Sequence, residues 1–375
     1  MAAWYIILGV LGLALLMVVH EGGHFFAARA YGMRVTKFSI GFGPTFFKII
    51  PKDGYFWFTT AAGKVRLRLW RHDPERHGPT VYQVAMIPIL AYVQIAGMNP
   101  LEEIDPNDKG SYANASLHGR ILAIFAGPAA NYLFASVLFF SALMLGGKAV
   151  PFDSKQQRST EVEVLPDTPA AAANLLDGDR IVEVAGAPVD SWGTMAENIS
   201  KNPGKAIPIV VERGGQRVSL TVTPKDDAGK GRIGVSPVIE RAPVSAKEAA
   251  VLALKMPPQV VKNFVVSLGQ LITRKAEGEL GGPIRMIKET GAVAKRGWPD
   301  LLEFLGALSA YLGAFNLIPF PALDGGRLMF LLYEATTRRR PNATIEASIH
   351  TVGFVMLLGL VIYVTIFNDI GVGSK

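Results

Sequence analysis

The sequence predicts an α-helical polytopic membrane protein of about four spanning helices, with a membrane-associated β region and an inserted soluble domain. Three observations support this class. Half of the 375 residues are hydrophobic and only 18% are charged, a balance typical of membrane proteins that carry a soluble part. Four apolar runs are each long enough to cross about 30 Å of hydrocarbon. A long polar stretch with alternating, strand-like segments separates the second run from the third.

The apolar runs set the predicted membrane segments, and the third run is interrupted. Pro319 and Pro321 stand inside it, and proline cannot continue a helical hydrogen-bond ladder, so one straight helix is not expected there. The runs cover residues 4–28, 120–145, 301–333 and 345–367, and the predicted segments are 1–31, 119–146, 298–337 and 344–368.

Basic residues flank the apolar runs, so the formal charge of +7 is explained by membrane orientation and anionic lipid, and a nucleic-acid partner is not expected. A dense group of lysines and arginines follows the first run, and Arg338, Arg339 and Arg340 stand between the third and fourth. The positive-inside rule predicts that both basic loops are cytoplasmic. Both termini and the stretch from about residue 147 to 298 are then expected outside, in a multi-pass protein of the cytoplasmic (inner) membrane.

The chain contains no cysteine, which excludes disulfides, thiolate metal ligands and cysteine nucleophiles. Any metal site must therefore use histidine and carboxylate ligands. The N-terminal run lacks a basic leader and a small-residue cleavage site, so we expect a membrane helix there instead of a signal peptide.

The region after the first segment, 32–98, has a strand pattern. Residues 64–70 alternate basic and apolar side chains, which predicts strands with one apolar and one basic face, suited to a membrane surface on the cytoplasmic side. An ordinary cytoplasmic hairpin is the alternative. Residues 99–118 are expected to form a cytoplasmic loop.

A separate external domain is predicted at 158–238, because short alternating segments are divided there by turn signals. The following stretch, 239–297, is expected to be helical and amphipathic, lying on the outer membrane surface or against the soluble domain. The alternating segments are 160–164, 207–211 and 218–222.

A metal-binding motif ends the first apolar run. His20 and His24 are four residues apart, so on a helix both imidazoles project from one face and can bind one ion. Glu21 lies beside that face, where it can take a proton from a water molecule on the metal. Gly22 and Gly23 have no side chains, so another element can approach the helix closely there. A pair of interfacial histidines beside a solvated glutamate is the alternative interpretation.

A catalytic zinc site needs a third protein ligand and an open position. Asp324 is the best candidate, because it is an isolated carboxylate inside an apolar run, on backbone that the two prolines make irregular. A simple Asp-Gly turn that caps a helix is the alternative for this residue. Asn316 stands upstream and can hold a substrate carbonyl or cap the broken helix. Glu334 and His350 flank the last two apolar runs and are also possible ligands, whereas His72, His77 and His118 lie in polar loops.

Together these residues resemble the site-2 protease family of intramembrane zinc metalloproteases, in the bacterial subgroup with a PDZ domain that regulates sigma-factor signalling. The similarity covers nearly the whole chain. It rests on the segments 20–24, 38–43, 126–131, 166–186 with 202–205, and 316–326.

The resemblance implies a zinc centre and a role for each site residue. His20, His24 and Asp324 would bind Zn²⁺, Glu21 would be the catalytic acid/base, and Asn316 would assist substrate binding. The soluble insert would be a PDZ-like α+β domain. Substrates would be single-span membrane proteins, such as anti-sigma factors or signal-peptide remnants, cut after an upstream first-site protease has acted on them.

A peptide bond inside a membrane helix is shielded, so the substrate must unwind before it is cut. A free strand edge in the 32–98 region is expected to pair with the unwound segment by β-augmentation, and Val65, Leu67 and Leu69 are the predicted contacts. Two other functions are compatible with parts of the sequence. One is a metal-dependent transporter, and the other is a PDZ scaffold whose catalytic residues are dispensable.

Overall fold

The computed structural model describes residues 3–52, 55–60, 63–67, 80–103, 105–150, 160–165, 168–227, 229–238, 241–273 and 281–370. The chain divides into two compact units. The first contains Met1–Gly146 and Val244–Lys375, and the second contains Gly147–Pro243.

Helices dominate the first unit, and two short helices belong to the second. In chain order they are α1 (Ala3–Ala30), α2 (Leu117–Gly146), α3 (Pro169–Ala172), α4 (Trp192–Ser200), α5 (Ala246–Ile272), α6 (Pro283–Arg296), α7 (Trp298–Asn316), α8 (Asp324–Thr337) and α9 (Ala343–Val364).

In the described part of the chain, three helices are long and apolar enough to cross a membrane: Trp4–Ala30, Leu117–Gly146 and Ala343–Asp369. The predicted third segment is divided between α7 and α8, with irregular backbone at 317–323. This break confirms the effect expected of the two prolines. The total of four spans stays a prediction, because the divided segment does not qualify as a continuous span.

The core of the first unit forms around α2, which packs against α1, α5 and α7. One apolar cluster joins Leu16 of α1, Leu138 of α2 and Leu305 of α7. A second joins Phe139 of α2 to Ala253 of α5. The predicted amphipathic segment therefore contributes α5 to this helical core, and its expected position at the outer membrane surface stays a prediction.

A four-stranded antiparallel sheet fills the predicted 32–98 region, which confirms the strands expected there. It packs on α1 through a cluster that includes Phe25, Val35 and Ile95. The strands are β1 (Val35–Lys52), β2 (Tyr55–Thr60), β3 (Gly63–Leu67) and β4 (Val81–Ile95), in the spatial order β3-β2-β1-β4.

The two edges of this sheet are formed by β3 and by the final residues of β4. The strand β3 is one edge, where its residues pair only with β2 among the described strands. At the other edge, the final residues of β4 pair with the start of β1, Ile95 opposite Val35 and Val93 opposite Phe38. Ala96 N–H donates to Arg34 O on the β1 side. In an antiparallel strand the N–H groups alternate in direction, so the N–H groups of the odd-numbered residues here point away from β1.

The second unit is built on a six-stranded sheet. Its core contains Val162, Ile181 and Ile209 from the sheet and Met195 from α4. The strands of this unit are β5 (Lys148–Ala149), β6 (Glu161–Val164), β7 (Asp179–Val184), β8 (Ala187–Pro188), β9 (Ile207–Arg213), β10 (Gln216–Val222), β11 (Lys225–Asp227), β12 (Lys230–Arg232), β13 (Val235–Pro237) and β14 (Arg241–Ala242). The six-stranded sheet has the order β10-β9-β7-β6-β13, with β8 paired to β7.

The three alternating segments predicted in this unit are confirmed as β6, β9 and β10. The predicted turn between β9 and β10 is also present. Gly214 and Gly215 both have positive φ, 56° and 81°, and they join Arg213 directly to its partner Gln216. Two positive φ angles suit a tight hairpin whose twist matches that of the strands, and glycine adopts them without strain.

Candidate metal centre

Three predicted ligands meet in the interior of the helical unit. His20 and His24 of α1 are 4% and 7% exposed, and their Nε2 atoms lie 3.2 Å apart. Asp324, the first residue of α8, places Oδ2 3.1 Å from Nε2 of His20 and 3.2 Å from Nε2 of His24. Among the described residues, these three form a group whose ligand atoms could hold one metal ion.

The irregular backbone before α8 brings Asp324 to the histidines. Ala322 has a φ of 74°, and its N–H donates to Nδ1 of His350 at 3.0 Å. The backbone of this loop also packs closely against Gly325 and Gly326, the two glycines that follow Asp324. A side chain on Gly325 would overlap the carbonyl oxygen of Ile318. The Asp-Gly-Gly sequence therefore lets the loop fold tightly against the first turn of α8.

The hydrogen bonds of the cluster favour a cation between its members. Nδ1 of His24 donates to the carbonyl oxygen of Ala123 at 2.8 Å, so in the neutral ring Nε2 carries a lone pair. It faces Oδ2 of Asp324 at 3.2 Å. Two acceptors at this distance repel each other unless a cation lies between them. A tetrahedral zinc ion about 2.0–2.1 Å from each ligand holds two ligands about 3.3 Å apart, so this donor set fits zinc.

Glycines set how closely the helices approach around the histidines. A side chain on Gly23 would overlap the carbonyl oxygen of Ala126 in α2, which confirms the close approach predicted at that residue. The same prediction is wrong for Gly22, because no atom of the described part of the chain lies within 4 Å of the position of its missing Cβ. Gly22 instead lines an apolar cavity of about 530 Å³. On α2, a side chain on Gly127 would overlap Nε2 of His24.

The predicted acid/base, Glu21, is held by the β-sheet. The N–H of Val93 donates to its Oε2 at 3.0 Å. Val93 belongs to the end of β4 whose odd-numbered N–H groups point away from β1, so Glu21 lies against a strand edge. The same edge, Tyr92 to Ile95, lines a cavity of about 570 Å³ with residues of α8 and α9 that include Arg327 and His350.

The residues predicted to contact the substrate make no observed contact with the metal ligands in the described part of the chain. The side-chain amide of Asn316 donates to Leu312 O at 2.9 Å, within its own helix. Val65 and Leu67 belong to β3, at the sheet edge opposite β4, and Leu69 lies outside the described residues. The proposed roles of these four residues stay predictions.

Other residues that could have supplied the third ligand make different contacts. Glu334 forms a buried, two-pronged ion pair with Arg120, with oxygen–nitrogen distances of 2.6 and 2.9 Å. His350 supports the loop at Ala322, and the ring of His118 packs against Tyr31. His72 and His77 lie outside the described residues.

Two residues near the centre were missed by the sequence analysis. Val93 contributes a backbone N–H, for which the side-chain sequence contains no signal. Asn131 of α2 is fully buried, and its side chain lies 3.2 Å from Nδ1 of His20. The sequence did contain a signal for Asn131, because it is the one amide in the apolar run 120–145. Burying an amide in a membrane costs free energy unless the amide has a hydrogen-bond partner.

Comparison with known proteins identifies the family. The chain matches "Peptidase family M50" over residues 8–68 and 67–360. It therefore belongs to peptidase family M50, the site-2 proteases. The expected family is thus confirmed, and the protein is a membrane-integral zinc metalloprotease.

Similar proteins that match nearly the whole chain support this assignment. The chain is 29% identical to a "putative zinc metalloprotease" of Clostridium acetobutylicum, over 98% of this chain and 97% of that protein. It is 30% identical to a "putative zinc metalloprotease" of Nostoc sp., over 94% and 93%. It is also 27% identical to the "regulator of sigma-E protease RseP" of Escherichia coli, over 98% of both chains.

Proposed function

We propose that this M50 protease cuts a peptide bond within or near the transmembrane segment of single-span membrane proteins. The observation that carries the proposal is the position of the ligand cluster. His20, His24 and Asp324 are enclosed by helices whose outward residues are apolar, and the cluster adjoins a strand edge that can receive an extended chain. A water-dependent site in this position is suited to substrates that are themselves in the membrane.

In this proposal the three ligands hold zinc and Glu21 moves the proton. Zinc supplies Lewis-acid activation of water and polarisation of the scissile carbonyl. Glu21 takes the proton of the attacking water and returns it to the nitrogen of the leaving peptide, while the Val93 N–H holds the carboxylate in place through Oε2. Asn316 is proposed to bind the substrate carbonyl after its amide leaves Leu312 O.

The substrate segment is proposed to pair with β4. An unwound segment has free N–H and C=O groups, and a strand edge satisfies them without water. The final residues of β4 are the better edge for this role, because Val93 contacts Glu21, whereas β3 is separated from β4 by two strands. The 570 Å³ cavity along Tyr92 to Ile95 is in the size range of ligand sites, about 300–1,000 Å³.

The likeness to RseP supports a physiological role for this chemistry. We propose that the protease makes the second cut in regulated intramembrane proteolysis of anti-sigma-type proteins or signal-peptide remnants, after a first-site protease. The metal centre would face the cytoplasmic side of the inner membrane. The 147–243 unit would be an external PDZ domain that filters substrates by size or reads their tails.

The test is co-expression of the protease with a library of tagged single-span proteins. Glu21→Gln is expected to keep zinc but to abolish cleavage, because the proton acceptor is lost while the ligands stay. Uncut substrates should therefore accumulate relative to the wild type. Glu103→Gln, at an exposed loop position, is the matched control and should cleave normally. Full activity in Glu21→Gln would contradict the proposed role of Glu21 as the proton acceptor.

A further inference from the structure

In both histidines of the metal centre, Nδ1 contacts a residue of α2, while Nε2 faces Asp324. Nδ1 of His24 donates to the backbone oxygen of Ala123, and Nδ1 of His20 lies 3.2 Å from the side-chain amide of Asn131. These contacts lie eight residues apart on α2, on either side of Gly127, which leaves room for the His24 ring. A histidine that binds metal through Nε2 must carry its proton on Nδ1, and it needs an acceptor there.

We infer that Asn131 is the positioning residue of His20. In the observed orientation the amide nitrogen faces Nδ1, which makes Nδ1 the acceptor and leaves the ring proton on Nε2, where it blocks metal binding. The amide oxygen is buried and, among the residues that the structure describes, has no hydrogen-bond partner in this orientation. A half-turn of the amide exchanges its oxygen and nitrogen without moving the side chain, so that the oxygen accepts from Nδ1–H.

That orientation gives His20 the arrangement that His24 already has. Each ring then donates from Nδ1 to an oxygen of α2, and each Nε2 directs a lone pair at Oδ2 of Asp324, at 3.1 and 3.2 Å. The carbonyl oxygen of Asn131 accepts a separate hydrogen bond from the buried hydroxyl of Ser309 in α7, at 2.8 Å, in which the side-chain amide takes no part. Asn131 thus selects the metal-binding tautomer of His20, a role that rests on the proposed zinc centre.

The experiment measures zinc affinity of the full-length chain in detergent, by competition with a chelator, in a Glu21→Gln background so that activity is not the readout. Asn131→Leu keeps the volume and removes the acceptor, and we expect it to weaken zinc binding about 10- to 100-fold. Asn131→Asp always presents an acceptor to Nδ1–H and should keep the affinity of the parent. The absorption spectrum of bound Co²⁺ should change in the leucine variant and stay unchanged in the aspartate variant.

Ser309→Ala is the matched control, because it removes a buried hydrogen bond at the same place without touching His20. It should bind zinc like the parent. Parental affinity in Asn131→Leu, or an equal loss in Asn131→Asp or Ser309→Ala, would overturn the positioning role alone. Failure of the parent to bind zinc would overturn the proposed centre itself. If the leucine variant does not purify as a folded protein, Asn131→Ala carries the same comparison.

Discussion

Two glycines near the metal centre illustrate how single residues decide metal binding. Gly127→Ala places a methyl group inside the contact distance of His24 Nε2, so we expect loss of zinc and of cleavage. Gly22→Ala places the same group in open space and should keep zinc. It also improves helix propensity by about 1 kcal/mol, so folding is not at risk. Metal analysis of the purified variants, with a cleavage assay, checks both expectations.

The pair is informative because the chemical change is identical in each variant. Stoichiometric zinc in Gly127→Ala would show that α2 can move away from His24, and the packing argument would fail. Zinc loss in Gly22→Ala would mean that the metal centre responds to any added bulk near it.

Residue-scale prediction succeeded where the signal was local. The four-residue spacing of His20 and His24 is a property of one helix, and the lone carboxylate of Asp324 is visible in one apolar run. Val93 could not be found this way, because its contact with Glu21 joins residues 72 positions apart through a backbone N–H. Only the folded chain shows which strand passes the acid/base.

At the scale of elements, proline substitutions can identify the strand that receives the substrate. Ala91 shares the outward N–H direction of Val93, so Ala91→Pro removes a donor from the β4 edge without breaking its ladder with β1. We expect it to slow cleavage by about tenfold, the effect of about 1.4 kcal/mol, while zinc stays bound. Arg66→Pro makes the corresponding change in β3 and should cleave nearly as the wild type does, because Gly63 and Val65 turn their N–H groups toward β2 whereas Arg66 turns its own away from β2.

Cleavage rates for both variants, measured with substrates that differ in helix-breaking residues, decide between the edges. A slow Arg66→Pro beside a normal Ala91→Pro would restore β3 as the substrate strand. Alternation was enough to predict strands in this region, since side chains of a strand face alternate sides. It could not predict the strand order, and the order determines which edge lies beside Glu21.

In the second unit, one buried ion pair makes stability depend on pH. The carboxylate of Asp179 is 1% exposed and accepts two hydrogen bonds from Arg213, at 2.8 and 2.7 Å, and one from Leu176 N–H. Burial raises the pKa of Asp179, but the Arg213 hydrogen bonds and the backbone donor outweigh it and hold that pKa below its ordinary value. The unfolded chain therefore binds more protons, and this stabilisation, present above about pH 3.9, is lost as pH falls through the folded pKa.

Asp179→Asn should lower the free energy of unfolding of this unit by about 3 kcal/mol, because Arg213 loses its charged partner. It should also remove the acid-dependent part of the stability. Hydrogen–deuterium exchange of β7 and β9 in the full-length protein measures both effects. Glu212→Gln is the control, since Glu212 pairs with Arg180 at the surface, where an ion pair adds little to the free energy of unfolding. Equal costs in the two variants would contradict the argument.

At the scale of the whole molecule, the metal centre depends on elements far apart in sequence. It joins α1, near residue 20, to α8, near residue 324, with α2 packed against both. Composition and hydropathy predicted the membrane class and the break in the third segment, because both are properties of contiguous sequence. The packing of α5 on α2 and α7 was not predicted, since an amphipathic pattern reports an apolar face but not which partner covers it.

Membrane orientation is the whole-molecule property that the basic residues predict. Lysines and arginines are dense after the first span, and three arginines stand at 338–340, before the last span. Reporter fusions at about residues 75 and 340 should therefore report a cytoplasmic location, and a fusion at about residue 200 an external one. Replacing Arg338, Arg339 and Arg340 together by glutamine should weaken the orientation of the last span most, while Lys205→Gln in the second unit should leave every reporter unchanged. An external location at residue 75 would reverse the orientation and place the metal centre toward the outer face, where a cut could not release a cytoplasmic fragment.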